Sequence, residues 1–293
     1  MLSISIPVYN YNITALVTAL HSQCLQSDVV FEIIVADDAS APEFSIANKE
    51  ILQLQHCRMI KHNVNIGRTL TRKQLANEAM YDTLLFLDAD VLPADAGFIK
   101  RYLPFIGKKN ELVVGGYAYH PAPQGSKTLL RLQYGISREQ KRAVERSHHP
   151  YGSIFSGNFL TGKAIFLEHN YPYNHNFYGL DMYFSYSLYK STVHIVHIDN
   201  PIYHMGLESD TVFFNKCLES VRVRKDLLAD KEGIENINSL LRHYKKLKKL
   251  NLVKAAALAF KITEPVLKKM ILKDSHNLFC LDLYRLGYLC TLK

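Results

Sequence analysis

Several patterns that would assign this sequence to a class at once are missing, and each absence removes a possibility. No apolar stretch is long enough to span a bilayer, so an integral membrane protein is not expected. Met1 to Pro7 have neither the basic start nor the long apolar centre of a secretory leader, and the expected location is cytoplasmic. The five cysteines, at 24, 57, 217, 280 and 290, show no paired spacing. That suits reduced thiols and offers no zinc motif. No G-x-G-x-x-G follows an apolar run, and "GSKT" at 125 to 128 lacks the Gly-Lys order and upstream glycine of a phosphate loop. No nucleophile elbow, internal repeat or low-complexity tract is found. With 48% hydrophobic and 21% charged residues over 293 positions, the composition is that of a soluble globular chain. Its length suits one large domain with an appendage, or two small ones.

Charge is present but unevenly placed. Residues 240 to 273, "LLRHYKKLKKLNLVKAAALAFKITEPVLKKMILK", hold ten Lys or Arg and a single acid, Glu264. The rest of the chain has 25 basic and 26 acidic residues, so a near-neutral body carries a strongly basic C-terminal stretch. The division expected from this is a body over 1–212 and a basic helical region over 213–293.

Leu2 to Pro7, Phe31 to Val35 and Thr83 to Leu87 are short β-rich runs, and helical spacing falls between them at roughly Ile13 to Gln26 and Thr69 to Met80. Strand, helix and strand in this rhythm predict an α/β fold with a mostly parallel sheet, its near-continuous apolar strands covered on both faces. "ELVVGGYAY" and "VHIVHIDNP" predict further strands, "SGNFLTGKAIF" a strand or turn, and "YGLDMYFSYSLYK" a helix start. Beyond about Thr211 the periodicity is helical, with Pro265 expected as an interruption.

Each early run ends in polar residues: "PVYN", then "ADDAS", then "DADV". Ligands of open parallel sheets sit beyond the carboxyl ends of strands, which puts Asp37, Asp38, Asp88 and Asp90 on one rim. In extended chain Asp88 and Asp90 would face one ligand together, and two adjacent carboxylates call for a divalent cation. As a solvated strand end or helix cap, an Asp-x-Asp has a simpler explanation.

The ordered set "SIPVYNYN", "EIIVADDAS", "NVNIGRTLTRKQLANEA", "LLFLDADV", "SGNFL" and "YGLDMYFSYSL" resembles family 2 glycosyltransferases of the GT-A fold, over about two hundred residues. The resemblance implies an inverting enzyme that moves a sugar from a nucleotide-sugar, by family habit UDP-linked, to a hydroxyl of a glycan or lipid-linked acceptor. Bacterial surface polysaccharide synthesis is the setting it suggests. It implies Mg²⁺ or Mn²⁺ on Asp90, with Asp88 and His204 as further ligands. Pro7, Val8, Tyr9, Asp37 and Asp38 would surround the nucleoside, Gly67, Arg68 and Arg72 would line the donor pocket, and Asn158 would touch donor or acceptor.

Asp181, in "LDM", is the expected general base, although the family's usual carboxylate pair is here reduced to one. The bland role for Asp181 is a helix N-terminal acid stabilised by the macrodipole. For Asp37 the rival is an Asx turn, for Arg68 and Arg72 a solvated basic face, and for His204 a structural histidine. His194 and His197, three apart in a strand, point to opposite faces and make a poor metal pair.

Two other functions remain open: a nucleotide-sugar-binding protein without turnover, and a nucleotidyltransferase, which would want a Gly-rich basic signature where "PVYNYN" stands. A glycosidase would need two carboxylates flanking a bond with one kept protonated, and these cluster instead. Lysines alternating with apolar residues over 240–273 predict contact with an anionic membrane surface, placing the enzyme peripherally on the inner face of the membrane. The rival is a helical appendage with solvated lysines. Nucleic acid is not an expected partner, because the stretch has few aromatics for stacking.

Overall fold

The apolar runs form strands, and the polar residues that end them mark where those strands leave the core. The computed structural model describes residues 1–122, 129–173, 177–272 and 276–293; the 125–128 stretch and Lys273 lie outside them. Strands β1 (Leu2–Val8), β2 (Phe31–Asp37), β3 (Cys57–Lys61), β4 (Thr83–Leu87), β6 (Glu111–Val114), β8 (Asn158–Gly162) and β9 (His194–His197) make a seven-stranded sheet in the order β3-β2-β1-β4-β8-β6-β9. The first four are mutually parallel. β8 runs antiparallel between β4 and β6, and β6 pairs parallel with β9.

Sequence and core agree closely in the centre of this sheet. β4 is buried along its whole length, as a strand covered on both faces must be. Its Phe86 packs against Phe166 and Phe159, with ring centroids 4.3 and 5.1 Å away. Such aromatic pairs add about 0.5–1.5 kcal/mol each beyond their buried area. The helices Thr14–Gln26 and Arg68–Glu78 stand where the helical spacing predicts them.

A second, three-stranded sheet has the order β5-β10-β7, from β5 (Val91–Pro93), β7 (Tyr117–Ala118) and β10 (Ile202–His204). It exists because "ELVVGGYAY" is not one strand: Gly115 and Gly116 separate β6 from β7. Gly116 has φ +94°, a left-handed backbone that side chains resist. A Cβ there would also run into the guanidinium of Arg146.

That guanidinium is a structural rivet. Fully buried Arg146 donates to the carbonyls of Lys141, Val114, Gly115 and Ile198 at 2.8–3.1 Å. It also donates to His197 Nδ1 at 2.9 Å, while His197 Nε2 donates to the Pro150 carbonyl at 3.1 Å. His197 is therefore needed neutral. Burial and the Arg146 charge push its pKa down from 6.5 to about 4. An unfolded chain takes up this proton below about pH 6.5 and the folded one only near pH 4, so this group destabilises the fold as pH falls between the two. The expected cost is about 2 kcal/mol at pH 5. Urea melts at pH 7 and pH 5 check it: His197→Gln should lack that share of the acid sensitivity, and equal sensitivity in variant and wild type would refute it.

Two compact units divide the chain. The first, residues 1–119, 139–176 and 187–206, holds both sheets. The second gathers 207–293 together with two earlier segments, 120–138 and 177–186. It is helical, with principal helices Asp210–Leu228, Ser239–Lys249, Val253–Leu272 and Leu278–Thr291. Phe213, Phe214, Phe260, Leu281 and Tyr284 form one of its cores, and Val221, Ile234, Leu241 and Leu289 centre another.

Pro265 does not interrupt the Val253–Leu272 helix, against expectation. The ring removes the hydrogen bond to the carbonyl of Lys261, but Lys261 and Pro265 both face solvent, where water can satisfy that carbonyl. The opposite face stays packed through Phe260 and Ile271.

Candidate active site

The link between the two sheets builds the site. After β4 the chain makes a turn at Ala89 and Asp90 before β5, so Asp88 and Asp90 do not share one extended face as the alternation argument supposes. They part instead. Asp88 turns to the Arg68–Glu78 helix and pairs with Arg72, while the Tyr117 hydroxyl donates to its other oxygen at 3.4 Å. Burial alone would raise the Asp88 carboxyl, but the charges of Arg72, Arg68 and His204 and the Tyr117 hydroxyl outweigh it and hold its pKa below the usual carboxylate range.

Asp90 faces β10. Antiparallel pairing sets His204 against Val91, and Met205 N–H donates to the Asp90 carbonyl at 2.8 Å. As a result His204 Nε2 stands 3.6 Å from Asp90 Oδ2. Two ligands each about 2.1 Å from one ion can span that separation. Among the described residues no three His, Cys, Asp or Glu side chains converge as a metal set. The expected trio thus becomes a pair: Asp88 is committed to Arg72, and Asp90 with His204 remains. An oxygen and an imidazole nitrogen fit Mn²⁺ or Mg²⁺ if the ion's other positions are filled by ligand oxygens and water.

Tyrosines that the sequence reading passed over hold this pair. Tyr119 stacks on the His204 ring at 5.7 Å, and Tyr117 meets it edge-on at the same distance. His204 Nδ1 is buried and makes no hydrogen bond among the described residues, so ring contacts fix its orientation. The Tyr119 hydroxyl is bonded to Glu139. Burial, and then the Asp90 charge, raise the pKa of Tyr11. Gly157 and Gly206 leave the space these carboxylates occupy: a Cβ at 157 would clash with Asp88 and Tyr117, and one at 206 with Asp90. Tyr117 and Tyr119, two apart and so on one side of an extended run, were the legible signal.

The loops after β1 and β2 make the neighbouring wall. Asp37 does not close a two-residue Asx turn; it accepts from Ser40 N–H, three residues on, at 2.9 Å. Asp38 accepts from His62 Nδ1 and from the backbone N–H groups of Ile66 and Gly67 at 2.8–2.9 Å, fixing the entry to the Arg68–Glu78 helix. Both carboxylates are buried, so neither presents surface to a nucleoside. Val8 is buried too, Pro7 is half-buried, and Tyr9 is 54% exposed. Asn158 has no exposed surface: its amide donates to the Gly116 and Asn200 carbonyls and accepts from the Tyr102 hydroxyl at 2.7–2.9 Å. It ties strands together and is removed from the ligand contacts.

Asp181 belongs to the helical unit, at the first residue of the helix Asp181–Lys190. The chain before it is pinned to the Asp210–Leu228 helix: Tyr178 N–H donates to Glu219 at 2.8 Å, and Gly179, φ +103°, packs where a Cβ would meet Ser220. Asp181 lies close enough to buried Arg224 to oppose the lowering of its pKa that burial and Arg285 cause. Asp181 Oδ1 is buried and accepts no hydrogen bond among the described residues.

A model of the glycosyl transferase family 2 matches residues 3–163. No curated protein matches the sequence. Among solved structures, the mannosyltransferase PcManGT of Pyrobaculum calidifontis, in complex with GDP-Man and Mn²⁺, is 12% identical with TM-score 0.62, over 98% of this chain and 85% of that one. The 1–349 fragment of S. aureus TarS, in complex with UDP-GlcNAc, is 16% identical with TM-score 0.55, over 98% and 90%. Against a longer TarS structure the chain spans 41% of that chain's length. At these identities the likeness is one of fold.

Proposed function

The chain belongs to glycosyl transferase family 2 and has the GT-A fold with an added helical region, and from that premise we infer that it transfers a sugar from a nucleoside-diphosphate donor to an acceptor hydroxyl with inversion. The observation that carries the reading is the Asp90–His204 pair standing beside the Arg72-bound Asp88 at the end of β4. Solved proteins of this fold have been seen with UDP-GlcNAc and with GDP-Man and Mn²⁺, which supports a nucleotide-sugar donor and a divalent cation here.

Asp90 and His204 would hold that cation, which when bound supplies positive charge to the departing diphosphate. Asp88 keeps Arg72 aimed at the same place, and Arg68, at the start of its helix, adds a second guanidinium suited to phosphate oxygens. Tyr9 and Pro7 offer faces to the base, with Asp37 and Asp38 bracing the loops behind them. Asp181 accepts the acceptor hydroxyl's proton as the oxygen attacks the anomeric carbon from the side opposite the leaving group, which inverts that centre. A UDP-linked donor and an acceptor in surface polysaccharide synthesis complete the proposal.

Incubating the purified protein with UDP- and GDP-sugars, Mn²⁺ and candidate acceptors tests the reaction. Release of nucleoside diphosphate with glycoside formation is the expected result. A thermal shift with donor but no release would make the protein a binder, and pyrophosphate release from a nucleoside triphosphate and a sugar phosphate would make it a nucleotidyltransferase.

A further inference from the structure

The basic stretch does not act as one surface once it is folded. In the Ser239–Lys249 helix, Lys245 is paired with Glu235 at 2.7 Å and Lys248 with Asp230 at 2.9 Å, and Arg242 donates to the Glu235 carbonyl at 2.8 Å. These cations are tied within the helical unit. The Val253–Leu272 helix is different. Its inner face packs through Phe260 and Ile271, and its only acid, Glu264, accepts from the Tyr284 hydroxyl at 2.7 Å. No carboxylate of this helix is left for its outer face.

That outer face is apolar. Leu258, Ile262, Val266 and Met270 are 63%, 72%, 60% and 41% exposed, and at four-residue spacing they form one stripe along a helix. Lys254, Lys261 and Lys268, seven apart, run along one flank, and exposed Lys269 falls within the stripe's own arc. Among the described residues no salt bridge involves Lys254, Lys261 or Lys269. On the adjoining Leu278–Thr291 helix, Phe279 and Leu283 are also exposed, four residues apart. An exposed apolar stripe of this length is uncommon on a surface that meets only water.

We infer that the outer face of the Val253–Leu272 helix docks on an anionic lipid bilayer, with Leu258, Ile262, Val266 and Met270 entering the headgroup boundary and the flanking lysines meeting lipid phosphates. Charge selects the occupant. A second copy of this chain would bring the same lysines to the same face and repel, and a stretch without aromatics in its stripe offers nucleic acid no stacking. No helix among the described residues is long and apolar enough to cross a membrane, so the contact lies along the surface. The inference does not depend on the proposed chemistry.

Flotation of the full-length protein with vesicles of phosphatidylglycerol and phosphatidylcholine tests it, alongside vesicles of phosphatidylcholine alone. The wild type should float with the anionic vesicles at low ionic strength, and high salt should release it. Leu258→Glu with Ile262→Glu should lower partitioning at least about tenfold. Replacing Lys254, Lys261 and Lys269 by Glu should lower it by about fivefold or more per position. Should the double variant lose its cooperative melt, Ile262→Ser, at the most exposed position, gives the same test with a smaller loss. Wild type that stays soluble, or variants that float like wild type, would overturn the inference. So would a wild-type dimer by light scattering that the double variant dissociates while neither floats, since a second copy would then be the occupant.

Discussion

Asp90→Ala should abolish Mn²⁺-dependent donor binding and lower sugar transfer by on the order of 10³-fold, because the cation's main anionic ligand is gone and nothing replaces its charge at the leaving diphosphate. The fold should tolerate it. Asp90 lies in a turn, its side chain is partly exposed, and His204 Nε2 stands 3.6 Å from its Oδ2. A change of about 0.5 kcal/mol in stability is expected, as for a substitution at a partly exposed turn position. Thermal shift with a UDP-sugar and Mn²⁺, followed by a turnover assay, reads both effects. A variant that keeps the wild-type rate and the same metal dependence would remove Asp90 from the site.

Asp181→Asn should leave donor affinity unchanged and lower kcat by on the order of 10²–10⁴-fold, the range for loss of a general base. The amide keeps the shape of the carboxylate but cannot accept the proton. Because Asp181 also opposes the charge of buried Arg224, the variant's melting temperature must be checked alongside its kinetics. An unaltered kcat would place the base elsewhere, and loss of donor binding in step with kcat would point to a structural role. The two substitutions separate binding from chemistry: one should remove the donor, the other only its reaction.

The sequence was informative where a single physical cause fixed the outcome. Thr83 to Leu87, a β-rich run bounded by polar residues, is a strand buried along its length, and the polar residues after each early run did fall at strand ends. That Asp37 would bond to backbone just after it was legible for the same reason, being local, although the partner is three residues on and not two. What sequence could not show was where the chain changes sheets. The glycine pair in "VVGGYAY" reads as part of one strand, yet it starts a second sheet, and that sheet's β5–β10 pairing is what brings His204 to Asp90. The i, i+2 argument for Asp88 and Asp90 failed because a turn, not extended chain, follows β4.

Burial separated residues that motif position had treated alike. Asn158 and Asp38 sit in expected motifs, but their polar atoms are spent inside the protein. Tyr117 and Tyr119 had only their two-residue spacing to announce them and Glu139 nothing, because their roles come from packing across long sequence separations.

The most direct test of the central claim is whether the chain binds Mn²⁺ together with a nucleoside diphosphate. Electron paramagnetic resonance follows free Mn²⁺ as protein is added in the presence of UDP or GDP, with the nucleotide's own binding of the ion subtracted. Wild type should remove Mn²⁺ from solution only when nucleotide is present, and both Asp90→Ala and His204→Ala should fail to do so. Equal sequestration by wild type and both variants, or none by wild type with either nucleotide, would contradict the assignment of Asp90 and His204 as the cation-holding pair.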